Sequence, residues 1–115
     1  LEIPVLTTMQ RQGDVLIVPS SDTPVGGGEI PSEGVPVVRG EATGNTHLLM
    51  VDRGSGVAWQ PNVRDPLVLG TLTVPDGAVA HLIHTDEHGV NAIGPGCYVL
   101  RGKREQADEV RRVAD

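Results

Sequence analysis

Apolar residues in this chain fall in short runs closed by Pro, Gly or polar bends, the pattern of strands rather than helices. Val15 to Pro19 is an apolar run ended by proline and reads as a buried strand. Ser20 to Gly34 has no periodicity, contains Gly26-Gly27-Gly28, Pro24 and Pro31, and reads as a loop or arm. Strand character resumes at Val35 to Arg39, where Pro36 marks an edge position or a strand start. Thr46 to Asp52 and Val57 to Trp59, joined through Arg53-Gly-Ser-Gly56, make a plausible hairpin. Leu67, Leu69, Leu72 and Val74 form one run, Pro75-Asp-Gly77 supplies turn chemistry, and Ala78 to Ile83 returns. A polar bend over Thr85 to Asn91 and the turn Gly94-Pro-Gly96 lead into Cys97 to Arg101. The period then changes. Ala107, Val110, Val113 and Ala114 recur at helical spacing among charges, so Lys103 to Asp115 is expected to be a short amphipathic helix.

Strands at this spacing predict an all-β fold, a small antiparallel barrel or sandwich within a single domain, 1–115, with a C-terminal helix. Composition sharpens that picture. There are 15 glycines, 9 prolines and only two aromatic residues, Trp59 and Tyr98. The core must therefore be aliphatic, and 17 valines suit a pleated, half-buried surface. A core of small side chains leaves self-association as a source of further burial. Trp59 and Tyr98, with Ala107, Val110 and Val113 on the helix, are the candidate interface residues.

No run approaches the roughly 18 apolar residues that span a bilayer. The start lacks the layout of a secretory signal, which points to a cytoplasmic or virion-associated protein. Leu1 at the first position suggests proteolytic processing, a chosen boundary or a numbering choice. A net charge of −6 argues against a general nucleic-acid binder. The single Cys97 excludes an internal disulfide and reads as a small apolar side chain.

The candidate chemistry lies in four histidines, His47, His81, His84 and His88. Imidazole ligates divalent transition metals, and His84 and His88 flank a bend that also holds Asp86 and Glu87. His81 and His84 are three apart on a strand, so they point to opposite faces. A metal set would use His47, His84, His88 and Glu87.

The segments Arg11-Gln-Gly-Asp-Val-Leu-Ile-Val-Pro19, Gly40-Glu-Ala-Thr-Gly-Asn-Thr-His47, Glu87-His-Gly, Pro95-Gly-Cys-Tyr98 and Arg104-Glu105 resemble a family of small proteins common in actinobacterial genomes. Related forms occur in mobile or phage-like regions. The resemblance implies a shared architecture and lends no activity. Its members show a Gly-His-x-His stretch and a His-x-Glu-His bend, which imply two imidazole half-sites. Here Asn45 stands at the first position of one and Thr85 at the first of the other. His84 lies one place away, where it is expected to face elsewhere. A ligand set with two of four members absent or displaced favours a non-enzymatic role. The expectation is therefore a homo-oligomeric interaction protein without a cofactor, such as an accessory or decoration protein of a phage-like capsid. The alternative is a cupin-like domain, enzymatic or not, holding a divalent transition metal.

Overall fold

The computed structural model describes residues 3–21, 26–38, 46–62, 64–65, 67–85 and 89–102. Eleven strands are formed among them: β1 (Val5–Leu6), β2 (Gln10–Gln12), β3 (Val15–Ser20), β4 (Gly28–Glu29), β5 (Val35–Val38), β6 (His47–Val51), β7 (Ala58–Pro61), β8 (Val68–Val74), β9 (Ala80–His84), β10 (Val90–Ile93) and β11 (Gly96–Gly102). They make two sheets, one ordered β1-β10-β9-β6-β5 and the other β2-β3-β11-β8-β7-β4. The fold is all-β, and of the two forms expected from sequence it takes the sandwich, not the closed barrel. The expected C-terminal helix lies outside the described residues.

Alternation along each strand sends one set of side chains inward. Val15 and Ile17 of β3, Leu72 and Val74 of β8, and Tyr98 and Leu100 of β11 meet Leu49 of β6, Ala80 and Leu82 of β9 and Ile93 of β10. β8 departs from strict alternation. Val68 lies opposite Arg101 and Gly70 opposite Leu100, so Leu69 is an extra residue and the strand bulges there. That bulge lets Leu69 and Leu72 both face the core despite their odd spacing.

The expected hairpin, and the return of the chain after Pro75-Asp-Gly77, prove to be crossings between sheets. β6 belongs to the first sheet and β7 to the second, and β8 and β9 are split likewise. Gly54, Gly56 and Gly77 take positive φ in these connections, a need that an arch between sheets shares with a tight hairpin. After the β2–β3 hairpin at the edge of the second sheet, the pairs β5–β6, β7–β8 and β9–β10 are laid alternately on the two sheets. Pro36 sits on β5, an edge strand, the place in a sheet where a residue without an N–H is tolerated.

The Gly-rich arm is docked where it is described. Gly28 and Glu29 pair with Trp59 and Ala58, and Ile30 is buried in the core. A side chain at Gly27 would place Cβ 2.9 Å from the Trp59 carbonyl carbon, so the glycine permits this close approach. Trp59 itself packs its indole against Gly70, where a Cβ would fall 2.5 Å from two atoms of the ring and 2.6 Å from the Gln60 carbonyl oxygen. The expected interface candidates Trp59 and Tyr98 are packed in the core, 6% and 1% exposed. In a core with so few large side chains, they fill space that aliphatic residues leave. The Tyr98 hydroxyl donates to the Gly94 carbonyl oxygen at 2.7 Å, satisfying the phenol inside the sandwich.

Gly70→Ala is expected to destabilise the fold by about 1–3 kcal/mol through overpacking against the indole. Urea unfolding monitored by Trp59 fluorescence measures it, and a change below about 0.5 kcal/mol would contradict the packing described.

Candidate functional site

At the ends of β6 and β9 two histidines face each other on the inner side of the first sheet. The antiparallel register sets His47 opposite His84, and alternation with Leu49 and Leu82 turns both rings inward. The ring centroids lie 4.5 Å apart at an interplanar angle of 49°. Both are buried, His47 being 1% exposed. The ladder continues one step past the pair, since the Thr85 N–H donates to the Thr46 carbonyl oxygen at 3.0 Å. His84 N–H donates to the Gly89 carbonyl oxygen at 2.8 Å, fixing the strand end.

The opposite sheet supplies polar partners from its edge strand β2. Gln10 and Gln12 alternate with exposed Arg11, so both amides point inward and cross to the first sheet. The Gln12 Nε2 group donates to the Leu82 carbonyl oxygen, to the Gly89 carbonyl oxygen at 3.2 Å and to Asn91 Oδ1 at 3.0 Å. Its Oε1 lies 2.9 Å from His47 Nδ1. Asn91 Nδ2 donates to Gln10 Oε1 at 3.1 Å and to the Arg11 carbonyl oxygen at 3.3 Å. Gln10 Nε2 donates to the Ala92 carbonyl oxygen at 3.1 Å. Buried amides in such a network are held because each unmade bond would cost the full desolvation of its group.

Burial makes the charged imidazolium costly. The His47 pKa falls from its ordinary 6.5 to about 4, first through desolvation and then through the neighbouring His84, while the Asp14 carboxylate acts in the opposite direction. At neutral pH His47 is therefore uncharged, with one ring nitrogen carrying a lone pair. Gly13, at φ 56°, turns the chain from β2 to β3 beside this ring. A Cβ there would come within 3.3 Å of His47 Cε1 and 3.7 Å of Nε2.

The structure thus brings together His47 and His84, two members of the alternative ligand set, although comparison with the family-like motif set His84 one place off. The reason is that His84 and Leu82 share the inward face of β9, while the half-buried His81 lies on the other. Glu87 and His88, the remaining members of the expected ligand set, and the interface candidates Ala107, Val110 and Val113 lie outside the described residues. Among the described residues, no group of three or more His, Cys, Asp and Glu side chains is placed to hold a metal. No described helix is long and apolar enough to cross a membrane. Gln10, Gln12 and Asn91 were not legible as site residues, although two glutamines at inward positions of a short strand are a usable signal. A separate apolar concavity of about 400 Å³ lies between Ile30, Pro31, Val35, Pro36, Trp59 and Pro61, and neither histidine lines it.

These features define a two-sheet β-sandwich with a buried polar cluster at its strand ends. The chain belongs to the family described as a domain of unknown function (DUF8820), whose model matches residues 11–103. No curated protein and no solved structure matches it.

The depressed pKa fixes a pH dependence. The unfolded chain binds a proton at His47 more tightly than the folded one, so stability is full above about pH 6.5 and declines as pH falls toward 4. The loss from this residue is up to about 3 kcal/mol. Urea unfolding at pH 7.5 and 4.5 should show a smaller loss in His47→Asn than in the wild type. Equal losses would mean that His47 titrates normally.

Proposed function

We propose that the protein is a binding domain that takes a divalent transition metal ion between His47 and His84. The observation that carries this reading is the pair of imidazoles buried side by side on one face, with centroids 4.5 Å apart. At that separation one nitrogen from each ring can approach a common ion at roughly 2.0–2.1 Å. Packing alone gives little reason to bury two titratable rings against each other, because aliphatic pairs fill a sandwich core without a desolvation cost. A neutral imidazole is also the form that ligates, and burial keeps His47 neutral at pH 7. Imidazole suits zinc, copper, nickel and iron. A four-coordinate ion needs two donors beyond these rings, and Glu87 and His88 complete the set read from sequence.

Elemental analysis and zinc titration of the purified chain test the reading. One ion per chain is expected, with affinity reduced at least tenfold in His47→Ala and in His84→Ala. Zinc at 100 times its Kd should stabilise the wild type by about 2.7 kcal/mol. A wild type that holds no zinc, nickel or copper stoichiometrically would sink the reading.

A second reading, self-association, has an observation of its own. Ile3, Val5, Leu6 and Met9 are exposed along one short stretch, and β1 is an edge strand. Exposed apolar residues beside an open sheet edge favour pairing with another chain. An accessory role in a larger shell would be one form of that reading. Sedimentation should then give a dimer or larger species that Val5→Asp converts to monomer. A monomeric wild type would remove it.

A further inference from the structure

We infer that Gln12 sets the tautomer of His47, holding the ring hydrogen on Nδ1 and leaving Nε2 as the nitrogen that takes the ligand. This rests on the reading of His47 as a ligand and names the residue that positions it. The argument begins at the far end of the Gln12 side chain. Two of the groups facing its amide, the Leu82 and Gly89 carbonyl oxygens, can only accept hydrogen bonds. The NH2 group must therefore lie on that side. Reversing the amide would set its oxygen against both carbonyls and leave the NH2 group against the ring.

With the amide so placed, Oε1 is what lies 2.9 Å from His47 Nδ1. A carboxamide oxygen cannot donate, so Nδ1 carries the hydrogen and donates it. The lone pair of the neutral ring is then on Nε2.

The neighbouring amides brace this orientation. Asn91 Oδ1 accepts from Gln12, which turns Asn91 Nδ2 toward Gln10 Oε1 and the Arg11 carbonyl oxygen. Gln10 Nε2 in turn faces the Ala92 carbonyl oxygen. Each of the three amides has its NH2 group beside at least one backbone carbonyl, so no member can reverse without an oxygen–oxygen contact. Gly13 acts on the other side of the ring. A Cβ at this position would come against Cε1 and Nε2 of the ring. Partners of this kind, one bond removed from a ligand, orient the imidazole and typically change metal affinity 10–100-fold when lost.

The test is nuclear magnetic resonance of protein carrying 15N-labelled histidine, using two-bond correlations that distinguish the ring nitrogens. In the metal-free wild type at pH 7, His47 should show a hydrogen on Nδ1 and a lone pair on Nε2. On adding zinc, the Nε2 resonance should move while Nδ1 keeps its hydrogen. Gln12→Leu should abolish the single-tautomer signature and weaken zinc binding about tenfold. Should Gln12→Leu fail to fold, the wild-type spectrum decides the tautomer alone. A wild-type hydrogen on Nε2, or an unchanged tautomer in Gln12→Leu, overturns the inference even if zinc binds. The expected tautomer with no zinc binding overturns the metal reading, and with it the assignment of Nε2 as the ligating atom.

Discussion

Gln12 reaches from the edge of one sheet to backbone carbonyls of the other, and its amide can sit there in only one orientation. That constraint joins architecture to chemistry. The same side chain ties β2 to β9 and presents an oxygen to His47, so the bridge between sheets also determines which ring nitrogen is free. A leucine at position 12 could pack between the sheets, but it would leave the Leu82 carbonyl and the His47 N–H without this partner. Buried polar groups that satisfy one another in this way hold a unique arrangement more strictly than apolar packing does.

The winding of the chain explains why the histidines meet. Hairpins laid alternately on two sheets bring β6 beside β9, and the antiparallel register then sets the first residue of one strand opposite the last of the other. Both positions face inward because Leu49 and Leu82 do. Burial follows from the fold, and the lowered His47 pKa follows from burial and from the second ring. Geometry and neutrality thus share one cause, the placement of two imidazoles inside a sandwich of mostly aliphatic side chains.

Strand positions and the all-β class could be read from the chain because alternation and Gly/Pro punctuation are local signals. Pro36 at an edge and the opposite facing of His81 and His84 follow from equally local rules. Sheet membership could not be read this way. The turns at Gly54 and Gly77 serve a hairpin or an arch with the same residues, so β6–β7 and β8–β9 looked like pairs although they split between sheets. The His47–His84 contact was hidden for a related reason, since it depends on register between strands distant in sequence. The alternative ligand set already held both histidines, but the family-like motif set His84 one place off, because its position was judged against that motif rather than against Leu82 on the same strand. Trp59 and Tyr98, the two aromatic residues, could anchor either the fold or a partner by sequence alone, and a core short of large side chains takes them up.

Zinc-edge anomalous diffraction from crystals grown with zinc tests the central claim, that the paired rings form a ligand site, most directly. The account predicts one strong peak at roughly 2.0–2.1 Å from His47 Nε2 and at the same distance from one nitrogen of His84. A fully occupied crystal with no peak between the rings, or a peak on His47 Nδ1 with the Gln12 amide turned away, would contradict it.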